Sequence, residues 1–232
     1  MRKVATFLLL SSLLSLTGCG VEPQGSVPQP VTVMKQGSWI KAGDTKDVVL
    51  DTNLLRANIY VIFDCSTSMG GYKVEEAKKA INQFGQSIPA EMGLGLTIFD
   101  GAGPSERIPL GIDNRPQFYK VVNSAEVGDG TPLSSAMQIG YDALRAQAKR
   151  QLGYGEYHLV VVTDGEANPG YDPGNLVNTI TYESPVIIHT IGFHIGTRHS
   201  LNQPGRTIYK DAQSPKDLAE GLDSVLAESD KF

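Results

Sequence analysis

The sequence predicts an α/β fold in which an open, mostly parallel sheet is covered by helices on both faces. Three observations carry this. An uninterrupted apolar run lies at 59–63, the pattern of a strand buried on both sides, and apolar-rich stretches of strand length lie at 158–162 and 185–191. Between them, apolar residues recur at helical spacing. The two kinds of segment alternate along the chain, with no repeat of fixed period.

The elements follow in order. The run Ile59-Tyr60-Val61-Ile62-Phe63 is the first core strand. Val74, Ala77, Ile81, Phe84 and Ile88 then fall at steps of three and four, one face of a helix. Residues 94–99 read as a strand, 107–112 as an edge strand and 118–122 as a short helix. Leu133, Met137, Gly140, Leu144 and Ala148 mark a second long helix. Strand 158–162, helix 176–182 and strand 185–191 come next. The last helix opens at Ser214-Pro215-Lys216-Asp217, with a capping Ser, Pro in the first turn and an acid at the third position; Leu218, Leu222, Val225 and Leu226 form its apolar face.

Composition bounds the function. At 232 residues, 41% hydrophobic and 19% charged, the chain can bury one core and is not disordered as a whole. A net charge of -5 without a basic stripe argues against nucleic acid as the partner. Two cysteines exclude a disulfide scaffold.

The N-terminus reads as an address. Arg2 and Lys3 precede an uncharged, Leu-rich stretch over 4–16, too short to span a bilayer but suited to a signal peptide. It ends in Leu16-Thr17-Gly18-Cys19, which resembles a bacterial lipobox. That resemblance implies cleavage before Cys19, lipid on its thiol and an extracytoplasmic, membrane-anchored protein. Gly20 after the Cys favours the outer membrane in a cell with two membranes. With Cys19 lipidated, Cys65 has no partner within the chain. The expected organisation is a signal peptide at 1–18, a lipidated Cys and Pro-containing tether at 19–38, a lead-in at 39–56 and the domain proper at 57–232.

In open sheets of this type ligands bind beyond the carboxyl ends of the strands. There the sequence places Asp64-Cys65-Ser66-Thr67-Ser68-Met69-Gly70-Gly71 after the first core strand and Thr163-Asp164-Gly165 after a later one. Gly128-Asp129-Gly130-Thr131-Pro132 precedes the second long helix. Two carboxylates and three hydroxyls converging on one edge make a hard-oxygen donor set, suited to Mg²⁺ rather than Zn²⁺.

These residues resemble the von Willebrand factor A-type family with a complete metal-ion-dependent adhesion site. Its D-x-S-x-S motif is matched by Asp64, Ser66 and Ser68, its loop Thr by Thr131 and its T-D-G Asp by Asp164. The likeness runs from about Ala57 to the C-terminus and takes in Tyr209 and Asp217-Leu218. It implies a Rossmann-like sheet in which Ser66, Ser68 and Thr131 bind the ion directly. Asp64 and Asp164 would hold waters and the Ser hydroxyls. Mg²⁺ is the expected ion, with Mn²⁺ and Ca²⁺ open. A partner protein would supply an Asp or Glu carboxylate, giving a metal-bridged contact and no reaction. Two positions depart from the family: Asp129 stands where Gly is common and Cys65 where a small residue is common. Cys65 is expected to face the core.

Other readings stay open. Asp64 and the serines could form a metal-free turn ahead of a helix. The domain could be a scaffold in an envelope assembly, with a structural metal. A serine hydrolase would use Ser68, then Asp164, then His189, His194 or His199 in that order. Against it, one core strand precedes Ser68, and the first Gly of a nucleophile elbow is missing. His189 is expected to pack in the core, and His194 and His199 to be solvated. Glu166 and Asp172 are expected on the rim of the site; His158 and Lys73 receive no role.

Overall fold

The computed structural model describes residues 39–229, so the signal segment, Cys19 and the tether lie outside the described residues. The strands are β1 (Ala57–Asp64), β2 (Gly93–Asp100), β3 (Gly103–Gly111), β4 (Glu156–Thr163), β5 (Ile187–Phe193) and β6 (Thr207–Ala212). The helices are α1 (Tyr72–Ser87), α2 (Arg115–Ser124), α3 (Leu133–Arg150), α4 (Gly174–Glu183) and α5 (Pro215–Ser229). The described strands form one sheet in the order β3-β2-β1-β4-β5-β6. Every neighbouring pair is parallel except β2 with β3.

Strand alternation sorts the core into two layers. Ile59, Val61 and Phe63 of β1 pack with α1, α2 and α5, whereas Tyr60 and Ile62 pack with α3 and α4. A strand apolar at every position is thereby covered on both faces. α3 lies especially close to the sheet. A Cβ on Gly140 would stand 2.7 Å from Leu159 Cδ1 and 2.8 Å from Tyr60 Cδ1. Gly140→Val should therefore overpack this layer and lower stability by about 1–3 kcal/mol, measurable by denaturant titration.

The observed boundaries differ from the sequence pattern for local reasons. β5 begins at Ile187, not 185, because Pro185 has no N–H to give a ladder. Ser184 ends α4 with its hydroxyl on the Ile180 carbonyl (2.7 Å). β3 starts earlier than expected, at Gly103, because it is hairpin-linked to β2. Gly103 takes φ 82°, and Asp100 Oδ1 accepts the Ala102 N–H (3.0 Å). α2 starts at Arg115, whose guanidinium donates to the carbonyls of Pro89 and Met92 (2.8 Å each). β6 was not predicted: it is a half-exposed edge strand without an apolar run. At α5 the expected capping pair forms. Ser214 Oγ accepts from the Asp217 N–H (3.2 Å), and Asp217 Oδ2 accepts from the Gln213 N–H (3.1 Å).

The lead-in is fastened to the end of the domain where β1 and β4 begin. Ile40 is buried in the α3 and α4 layer, and the Trp39 ring meets Tyr157 edge-on at 5.4 Å. Asp51 accepts from Arg56 (2.8 Å) and Gln147 (2.7 Å). Burial alone would raise the Asp51 carboxyl, but hydrogen bonds from Arg56, Asn53 and Gln147 hold it down at about 2.

Candidate metal centre

β1 and β4 are adjacent at the middle of the sheet, and the chain leaves them in opposite directions, β1 toward β2 and β4 toward β5. Such a switch point opens a crevice at the carboxyl ends of the strands. Asp64 is the last residue of β1, and Asp164 follows Thr163, the last of β4.

Asp64 is fully buried. Its Oδ1 accepts the Ser66 backbone N–H (2.7 Å), which fixes the turn out of β1, and its Oδ2 accepts the Thr163 hydroxyl (2.6 Å). Burial raises its carboxyl above the ordinary range, with the hydrogen bonds from Ser66 and Thr163 pulling the other way. Residues Thr67–Met69 form a short 3-10 turn, and Gly71 then takes φ 77° as the chain enters α1. Within this turn Ser66 Oγ and Ser68 Oγ are 3.0 Å apart, and Ser68 Oγ donates to Asp164 Oδ1 (2.7 Å).

Thr131 arrives from the loop before α3. That loop is tied to the β1 loop at two points: the Thr67 N–H and hydroxyl both donate to the Asp129 carbonyl (3.1 and 2.9 Å), and the Gly128 N–H donates to the Cys65 carbonyl (2.9 Å). Asp129 occupies the left-handed region at φ 58°, a conformation Gly adopts without cost and Asp tolerates. A Cβ placed on Gly165 would lie 3.6 Å from Ser68 Oγ and 4.0 Å from Thr131 Oγ1, so the two hydroxyls flank that residue. The structure thus brings Asp64, Ser66, Ser68, Thr131 and Asp164 into one crevice. Among the described residues no group of three or more His, Cys, Asp or Glu is poised for a metal. The donors here are hydroxyls beside two carboxylates, a set that fits a hard divalent cation.

Lys73 completes the crevice and was given no role from sequence. From the first turn of α1 its Nζ lies 2.5 Å from Asp164 Oδ2 and 3.2 Å from the Ser68 carbonyl. The pairing depends on how α1 is set against β4, which residue spacing does not reveal. Its position five residues after Ser68, just past the Gly70-Gly71 turn, was the only signal.

Cys65 is buried in the α1 and α5 layer, and burial pushes its thiol up to about 12. The histidines are arranged otherwise than a hydrolase requires. His189 is buried as expected, 3.1 Å from His158. His199 is buried rather than solvated: Nε2 donates to the Gly165 carbonyl (2.9 Å) and Nδ1 accepts the Leu201 N–H (3.0 Å). It braces the Asp164 loop from behind. His194 is half-buried, with Nε2 3.2 Å from the Tyr72 hydroxyl. Ser68 bonds directly to Asp164 with no imidazole between them, so a Ser-His-Asp relay is not assembled. Glu166, exposed on the rim, accepts the Ser200 N–H (3.1 Å), and Asp172 is also exposed.

The sequence profile of the von Willebrand factor type A domain matches residues 58–219, and the chain belongs to this family. It is 24% identical over 188 residues to the uncharacterized protein YwmC of Bacillus subtilis, covering 70% of this chain and 79% of that protein. Among solved structures it resembles the pilus adhesin SpaC of Lactobacillus rhamnosus GG, with TM-score 0.62 and 14% identity, over 78% of this chain and 31% of the adhesin. It also resembles proximal thread matrix protein 1 of the mussel byssus, solved with a zinc-occupied MIDAS motif. There the TM-score is 0.54 and identity 15%, over 75% of this chain and 46% of that one.

Proposed function

We propose that this protein is a divalent-metal-dependent protein-binding module, held outside the cytoplasm on a bacterial membrane by an N-terminal lipid, and not an enzyme. The observation that carries the reading is the convergence of three hydroxyls and two carboxylates at the switch point between β1 and β4. Family membership supports it, as does a fold neighbour that is a pilus adhesin.

Ser66, Ser68 and Thr131 would hold the ion through neutral oxygens. Asp64 and Asp164 would orient those hydroxyls and the ion's waters from just behind. When bound, the ion supplies an electrophilic position for a carboxylate oxygen. The protein's task is then to present that position rigidly, which the ties between the three loops accomplish. Mg²⁺ suits a small hydroxyl-rich site best. The partner would be a protein with an accessible Asp or Glu.

Isothermal titration of Mg²⁺ into the metal-stripped domain beginning at Gly20 tests the centre. One-to-one uptake, lost in the Asp64→Ala/Asp164→Ala double variant, is expected. A protein captured in Mg²⁺ should be released by chelator and by Thr131→Ala. Capture that survives both, with the fold intact, would favour a scaffold with structural metal. Anchoring is tested separately: radiolabelled palmitate should enter the full-length protein in cells and fail to enter Cys19→Ser.

A further inference from the structure

We infer that Lys73 is a built-in counter-cation of the metal centre: it holds the two central loops together and lowers their affinity for a divalent ion. The inference rests on the metal-centre reading above and concerns how that site is tuned.

One ammonium group bridges two elements. Lys73 Nζ contacts Asp164 Oδ2 beyond β4 and the Ser68 carbonyl in the loop after β1. The Asp164 side chain is fully buried and that of Lys73 only 25% exposed, so this is not a solvent-screened surface pair. Both Asp164 oxygens are engaged, Oδ1 by Ser68 and Oδ2 by Lys73. Asp64 and Asp164 face one crevice as two buried carboxylates, and Lys73 offsets part of that negative charge before any ion arrives.

The same arrangement opposes metal binding. An ion whose waters lean on Asp164 must share Oδ2 with an ammonium, and the two positive charges repel at close range in a partly buried site. Lys rather than Arg suits this role, because a single point charge on a flexible stem can swing aside without breaking a two-pronged contact. The consequence is coupling. A partner's carboxylate brings the negative charge that the crowded centre lacks, so ion and partner each strengthen the other's binding. The module would then take up its ion tightly only when a partner is present.

Mg²⁺ alone is the probe, read by calorimetry and by thermal melting in chelator and in saturating Mg²⁺, on the wild type, Lys73→Met and Lys73→Arg. Lys73→Met should tighten Mg²⁺ binding about tenfold. It should also lower the melting temperature in chelator and widen the gap between the two melts. Lys73→Arg should bind Mg²⁺ no more tightly than the wild type, since the charge remains and its fork can grip Asp164 at two points. If the wild type takes up Mg²⁺ while Lys73→Met binds it equally or more weakly, the inference is overturned and the metal centre stands. If neither takes up Mg²⁺, the metal-centre reading falls and the inference with it. Should Lys73→Met fail to fold, Lys73→Gln is held to the same outcomes.

Discussion

Asp64→Asn is expected to lose Mg²⁺ uptake by at least about a hundredfold while keeping nearly wild-type stability, and Asp64→Ala to lose both. The difference lies in where the hydrogen bonds of a buried side chain go. Asp64 accepts from the Ser66 N–H and from the Thr163 hydroxyl. Asparagine can keep the first of these with its carbonyl oxygen. Its amide N–H₂ then faces Thr163 Oγ1, which can accept, because the Thr163 hydroxyl has a second acceptor in the Gly165 carbonyl at 3.1 Å. Every polar atom finds a partner, and the cost of burying a charge disappears. Alanine leaves the Ser66 N–H without its acceptor in a buried site and removes the pin of the turn, a loss of about 2–3 kcal/mol. What neither variant retains is the negative charge behind the ion. Calorimetry with Mg²⁺ and chemical denaturation of both proteins separate the two effects. Normal Mg²⁺ affinity in folded Asp64→Asn would show that the carboxylate does not support a cation.

The second large effect is loss of stability in mild acid, traced to His189. Burial foremost, and then the neighbouring His158 and Lys210, push its imidazole down to about 3. The folded ring is therefore neutral at every pH above about 3, whereas in the unfolded chain it protonates near its ordinary value of 6.5. Between these limits the unfolded state binds the extra proton. This contribution to stability is complete above pH 6.5 and is lost as pH falls toward 3, at up to about 1.4 kcal/mol per pH unit. By pH 4 that amounts to about 3 kcal/mol. Two other groups act elsewhere or in the opposite sense. Asp51, held down at about 2, withdraws its support only as pH falls from about 3.8 toward 2. Asp64, with its carboxyl raised, favours the fold as it protonates. Denaturant melts of the wild type and His189→Gln across pH 7 to 4 isolate the histidine. The variant should be flatter by close to one proton; parallel curves would assign the acid sensitivity to other groups.

Much of the architecture was legible because the central strands leave little ambiguity. Ile59 to Phe63 is apolar at every position and must be covered on both faces, which requires helices on either side. The site was legible for a related reason. Asp64 directly follows such a run and Asp164 lies just past the end of another buried strand, separated from Val162 by Thr163, and the end of a buried strand is a known place in the fold. What escaped depends on distance through space. β6 carries no apolar run, since its burial is shared between β5 on one side and solvent on the other. His199 lies 34 residues from the carbonyl that it braces, across an irregular connection, so its burial could not be foreseen from a polar neighbourhood containing Arg198 and Ser200. Lys73 sits among the polar residues of an amphipathic helix and looks solvated until the helix is docked.

The placement of β1 has a mechanical consequence. Trp39 and Ile40 are seated against the end where β1 and β4 begin, whereas Asp64 and Asp164 lie at the end where they finish. A pull between the N-terminus and a body gripping the crevice therefore runs lengthwise along β1. That strand is flanked on both sides by parallel partners, β2 and β4, through registers of seven residues each. Lengthwise load makes these ladders slide rather than peel, so many hydrogen bonds must yield together instead of one at a time. The Trp39–Tyr157 contact and the Asp51 ties to Arg56 and Gln147 stand between the puller and β1 and would give way first. Under such a load the domain would stretch at its root before the crevice end changes shape.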